Sequence, residues 1–116
     1  MEGIEWLVDA YGCSEQALRE KDRLSDLFQA IATEMKLKPI GSILWHQFPI
    51  TFGLTGIWLL QESHLTIHTF PEDQTACINL FCCVRRPKWD WERRLPEWLG
   101  AKKIEGKEQL RRHGHG

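Results

Sequence analysis

The residues Gln61-Glu62-Ser63-His64-Leu65-Thr66-Ile67-His68-Thr69-Phe70-Pro71-Glu72 gather a serine hydroxyl, two imidazoles and two carboxylates into one stretch of β-type sequence. Side chains alternate along a strand, so His64, Thr66 and His68 share one face while Ser63, Leu65, Ile67 and Thr69 share the other. A hydroxyl beside a carboxylate, with an imidazole further along, is the raw material of nucleophilic and acid–base chemistry. The same residues also read as an amphipathic strand whose histidines lie on its polar face.

The elements around this segment must position it. Residues 4–10 alternate apolar and acidic side chains and stop at Gly12, which predicts a first strand. Ser14 suits a short capped turn. From about Asp22, the positions Leu24, Leu27, Phe28, Ile31, Ala32 and Met35 recur at helical spacing, and Lys36, Lys38 and Pro39 close the helix. Residues 40–47 read as a strand followed by a loop, because Pro49 has no amide hydrogen to give to a ladder. Residues 54–61 are apolar on both parities and are expected to be covered on both sides. They pass into the 63–70 strand without the usual turn residues, so the chain must bend sharply at Glu62-Ser63.

Residues 75–83 predict another strand, with Cys82 and Cys83 on opposite faces. Asp90 opens a second helix carrying Trp91, Leu95, Trp98 and Leu99, stopped at Gly100, and Pro96 is expected to break or kink it. Residues 101–105 are expected to add a short last strand and 106–116 to form a frayed polar tail. Strand, helix, strands, helix, strand in this order predicts an α+β fold: a two-layer sandwich with a mostly antiparallel sheet and helices on one face.

A chain of 116 residues fits one domain, residues 1–116. Its net charge of -1, with 42% hydrophobic and 27% charged residues, offers no electrostatic footprint for nucleic acid or a membrane surface. No apolar run approaches the roughly 18 residues of a membrane span, and the first residues lack the basic start of a secretory signal, so a cytoplasmic location is expected. Cys13, Cys77, Cys82 and Cys83 show neither a disulfide frame nor a metal-ligand spacing. His113 and His115 in the tail are given no function. The six tryptophans are expected to serve the core and a subunit interface.

The run Glu-Ser-His-Leu-Thr-Ile-His-Thr-Phe-Pro-Glu (62–72), preceded by Phe52-Gly53-Leu54-Thr55-Gly56 and followed by a strand ending in Cys83, resembles the prokaryotic S-adenosylmethionine decarboxylase family. The resemblance is strong over residues 52–83 and looser over the rest of 3–105. It implies a proenzyme that cuts its own chain between Glu62 and Ser63, giving residues 1–62 and 63–116, and converts Ser63 into a pyruvoyl group. That group would act as the electron sink for a decarboxylation, with no metal and no pyridoxal phosphate. Self-cleavage requires strain at the bond, a donor for the developing oxyanion and a proton shuttle.

By the same resemblance, Thr55, where serine is frequent, and His68 serve the cleavage, and Cys83 donates a proton to the product carbon. Phe48 and Phe70 would flank the adenine, and Glu72 would bind the ribose hydroxyls. A homodimer with the pocket at its interface is implied, and a small-molecule amine is the expected partner. Departures from the family pattern fall at Glu5-Trp6, Phe70, residues 73–75, Asn79, Cys82 and Val84. They leave open a pyruvoyl-dependent arginine or ornithine decarboxylase, whose cationic substrate would suit Asp73 or Glu5. An inactive homologue acting as a binding subunit also stays open.

Overall fold

Alternating apolar and polar residues build six strands, and antiparallel pairing joins them into one sheet of order β2-β3-β4-β5-β1-β6. The computed structural model describes residues 1–114, and His115 lies outside the described residues. The strands are β1 (Glu2–Tyr11), β2 (Leu44–Gln47), β3 (Leu54–Leu60), β4 (Ser63–Phe70), β5 (Thr75–Cys82) and β6 (Lys103–Arg112). Two helices, α1 (Lys21–Glu34) and α2 (Trp91–Leu99), complete the expected two-layer α+β sandwich.

Both helices lie on one face of the sheet because each carries one apolar stripe. Leu24, Leu27, Phe28 and Ile31 of α1 and Trp91, Leu95 and Leu99 of α2 join a single core with Trp6, Trp58, Leu65, Ile67 and Leu80 of the strands. Phe28 stacks on Trp58 with ring centres 6.3 Å apart. Ser14 caps the turn after β1 by accepting the Ala17 amide through its hydroxyl at 3.2 Å. Thr69 ties β4 into this layer: its buried hydroxyl accepts the Leu54 amide and donates to the Leu18 carbonyl, each at 2.8 Å.

Four expectations are corrected. β3 is covered on one side only: Leu54, Trp58 and Leu60 are buried, whereas Ile57 is 46% and Leu59 58% exposed on the helix-free face. With Leu7, 44% exposed, they leave apolar side chains on that face open to solvent. Residues 106–112, expected to fray, belong to β6, which pairs with β1 from Tyr11↔Lys103 to Glu2↔Arg112. An edge strand exposed on both faces needs no apolar alternation, so its polar sequence reads like a tail while its backbone satisfies β1.

The strand expected over 40–47 shrinks to Leu44–Gln47, with Pro39 adding only an isolated bridge to Leu60. Pro96 does not end α2: the helix runs to Leu99, and the Gly100 amide donates to the Pro96 carbonyl at 2.9 Å. Only the donor that Pro96 itself lacks is lost.

β6 also reaches the core, because the Trp6 indole N–H donates to Glu108 Oε1 at 3.0 Å. Glu108→Ala leaves this N–H of a buried tryptophan without its partner, and we expect a loss of about 1–3 kcal/mol in denaturant unfolding. An unchanged unfolding midpoint would contradict the β1–β6 register.

Candidate active site

The expected site residues fall into three groups along the sheet. The first is at the β3–β4 hairpin, where Gln61 and Glu62 alone connect the paired residues Leu60 and Ser63. Ser63 sits half-buried on the helix-side parity of β4, opposite Cys82. The Cys83 amide donates to the Glu62 carbonyl oxygen at 2.7 Å, so the carbonyl next to Ser63 already holds a backbone donor. Cys83 is half-buried, whereas Cys82 packs in the core and burial pushes its thiol up to about 11. Among the described non-glycine residues, only Lys36, Phe52 and Gln74 have positive φ.

The second group is Thr55 and His68, Cα partners across β3 and β4 on the helix-free face. Thr55 Oγ1 and His68 Nδ1 are hydrogen-bonded at 3.0 Å, with the direction of donation set by the imidazole tautomer. This pair belongs to one rung that crosses all six strands as His46, Thr55, His68, Cys77, Asp9 and Glu105. Cys77 stands opposite Asp9 across β5 and β1. Its thiol is pushed up to about 11, mainly by burial and further by that carboxylate. His68, Cys77, Asp9, Asn79 and Lys107 line a hollow of about 460 Å³.

The third group is Phe48, Phe70 and Glu72, which share an apolar hollow of about 360 Å³ with Pro49, Ile50 and Thr51. Glu72 lies in the short 3-10 turn Pro71–Asp73 between β4 and β5. At a strand rise near 3.3 Å, His68 lies roughly 16 Å and Phe70 roughly 23 Å along β4 from Ser63. One chain therefore assembles the cleavage point, the imidazole pair and the aromatic hollow in separate places.

Sequence reading missed Asp9 and Cys77 beside His68, and Lys38 and Arg86 beside Glu62. The first two follow from register, since pairing Ser63 with Cys82 necessarily sets Cys77 opposite His68. The family departures at Glu5 and Asn79 prove to touch: Asn79 Nδ2 donates to Glu5 Oε2 at 2.7 Å, and Asn79 Oδ1 is 3.0 Å from His64 Nε2. Arg111 closes this network on Glu5 Oε1 at 2.5 Å. Among the described residues, no group of three or more potential ligands could hold a metal ion, and no helix is long and apolar enough to cross a membrane.

Comparison with known proteins identifies a decarboxylase scaffold. The model of the family described as S-adenosylmethionine decarboxylase matches residues 4–112. The S-adenosylmethionine decarboxylase proenzyme of Clostridium tetani is 33% identical over 110 residues, which cover 94% of this chain and 86% of that protein. The proenzyme of the same name from Moorella thermoacetica is 32% identical over 107 residues, covering 91% and 84%. The crystal structure of the adenosylmethionine decarboxylase from Aquifex aeolicus superposes with a TM-score of 0.74 at 25% identity, covering 92% of this chain and 88% of that one. The chain belongs to the S-adenosylmethionine decarboxylase family.

The Glu5 network has a pH signature. The Asn79 hydrogen bond, followed by the Arg111 contact, holds the Glu5 carboxyl below its ordinary 4.5 against the opposing effect of burial. The resulting stabilisation is fully present above that ordinary value and is lost as pH falls through the lowered one. Asn79→Ala removes the largest support, so the variant should be less stable than wild type at neutral pH, and the gap should narrow on acidification. Urea titrations showing a gap that stays constant into the acid range would contradict the assignment.

Proposed function

We propose that this chain is a proenzyme that cleaves itself between Glu62 and Ser63, carries a pyruvoyl group made from Ser63, and decarboxylates S-adenosylmethionine to supply aminopropyl groups for spermidine synthesis. The observation that carries the reading is the Cys83 amide resting on the Glu62 carbonyl at 2.7 Å, immediately before a serine. This donor is in place before any charge develops on that oxygen, as oxyanion stabilisation requires. A cytoplasmic location is in keeping with four unbridged cysteines.

The pyruvoyl group, once formed, supplies the electron sink for loss of carbon dioxide. The chain's own residues do the rest. His68, oriented by Thr55, moves protons during cleavage, and the Cys83 thiol donates a proton to the product carbon. Phe48 and Phe70 offer flat faces to adenine and suit a sulfonium, and Glu72 accepts from the ribose hydroxyls.

His68 cannot serve Ser63 of its own chain across roughly 16 Å. We therefore assign it to Ser63 of a second copy, in a homodimer whose helix-free sheet faces meet. A twofold axis between two such faces can set the hairpin end of one β4 against the middle of the other. Leu7, Ile57 and Leu59, all more than 40% exposed on that face, supply the apolar contact. S-adenosylmethionine is favoured over arginine or ornithine because Glu5 is already engaged by Arg111 and Asn79, and Asp73 lies outside the aromatic hollow.

Denaturing mass analysis should show residues 1–62 and a 63–116 fragment with a blocked start, whereas Ser63→Ala stays whole and folded. The processed protein should release carbon dioxide from S-adenosylmethionine, and Glu72→Gln should weaken its use more than Asp73→Asn. Cleavage persisting in Ser63→Ala, or turnover of arginine or ornithine but not S-adenosylmethionine, would refute the reading.

A further inference from the structure

Beside the hairpin, Lys38, Gln61 and Arg86, which the proposed mechanism leaves unused, line a hollow of about 130 Å³ with Glu62 and Ser63. Backbone pairing fixes one wall, since the Gln61 amide donates to the Lys38 carbonyl at 2.7 Å. Arg86 forms the other. Its side chain is only 26% exposed, and Nη2 stands 3.9 Å from Glu62 Oε2, longer than a hydrogen bond, so the guanidinium keeps donors uncommitted. One guanidinium with donors to spare thus stands beside the Glu62 carboxylate at the point of cleavage, and Lys38 lines the same hollow.

We infer that Arg86, with Lys38 and the Cys83 amide, forms a leaving-group site for the carboxylate created on Glu62 during self-cleavage. The inference rests on the self-cleavage reading above. In the first step, the Ser63 oxygen bonds to the Glu62 carbonyl carbon, the C–N bond breaks, and the hydroxyl proton ends on the freed Ser63 nitrogen, leaving an ester. In the second, a base removes the Ser63 α-proton and the Cβ–Oγ bond breaks with its electron pair on oxygen. Glu62 departs as a carboxylate and residue 63 becomes a dehydroalanine. Water then replaces the nitrogen, which leaves as ammonia, to give the ketone.

The oxyanion of the first step is transient, whereas the second step leaves a lasting negative charge on Glu62, which already carries a side-chain carboxylate. One of the new carboxylate oxygens is the atom that the Cys83 amide holds in the uncut chain. The planar fork of Arg86, 3.9 Å from the Glu62 side chain, suits a second carboxylate on the same residue. Arg86 therefore acts chiefly on elimination, where the charge on Glu62 is full and lasting.

The test follows the ester in freshly folded Arg86→Gln protein, using hydroxylamine, which cleaves esters and spares amides. Samples are denatured at intervals, treated and weighed by mass spectrometry. In Arg86→Gln, elimination should slow about tenfold or more, with a hydroxylamine-dependent pair of fragments, 1–62 and 63–116 with an intact serine start, building up. Arg86→Lys should restore part of the rate, and Lys38→Gln, the second probe should Arg86→Gln lose the wild-type circular dichroism, should show a smaller build-up. Wild-type formation of the blocked 63–116 fragment in Arg86→Gln, or slowing with no ester in either variant, would overturn the inference. A wild-type chain that never cleaves would instead overturn the self-cleavage reading and this inference with it.

Discussion

The two antiparallel ladders that flank β4 are the constraint on which the rest of the molecule depends. Pairing with β3 and β5 fixes Thr55↔His68↔Cys77 as one rung and Leu60↔Ser63↔Cys82 as another. A slip of one residue would exchange buried Leu65 and Ile67 for His64, Thr66 and His68. Each buried aliphatic side chain contributes about 1.5–3 kcal/mol, so the core holds the register, and the register holds the chemistry. The same ladders bring the end of β5 alongside the hairpin, where the Cys83 amide meets the Glu62 carbonyl.

The constraint also divides the site. Side chains that face α1 and α2 are committed to the core, which leaves the hairpin end and the helix-free face for reactive groups. Ser63 and His68 consequently stand on opposite parities and far apart along one strand. A second copy covering the helix-free face would meet two requirements at once. It would shield Leu7, Ile57 and Leu59 from water and bring the Thr55–His68 pair towards Ser63. Stability of the assembly and competence to cleave are then linked through the same surface.

Much of the scaffold was legible because period and pattern agree. The 3.6-residue spacing from Leu24 to Met35 marks α1, and the alternation through 63–70 and 75–82 marks the central hairpins. What escaped did so for physical reasons. β6 is polar because both its faces meet solvent, so only its backbone pairing with β1 reveals it as a strand. The apolar face of β3 reads as buried although only half of it is covered within one chain. Ser63, His68, Cys83 and Thr55 were legible as residues, but their separation was not, because composition carries no distance. Asp9, Cys77 and Arg86 approach the site only through strand register and the fold of the loop after β5, which no local motif encodes.

The claim that one site is built from two chains is tested most directly by co-expressing a Ser63→Ala chain and a His68→Ala chain with different tags, isolating the mixed dimer and measuring which chain is cut. The geometry predicts that the His68→Ala chain, uncut alone, is cleaved at Glu62-Ser63 when the Ser63→Ala chain supplies His68. A His68→Ala chain that stays whole in the purified mixed dimer would contradict the account.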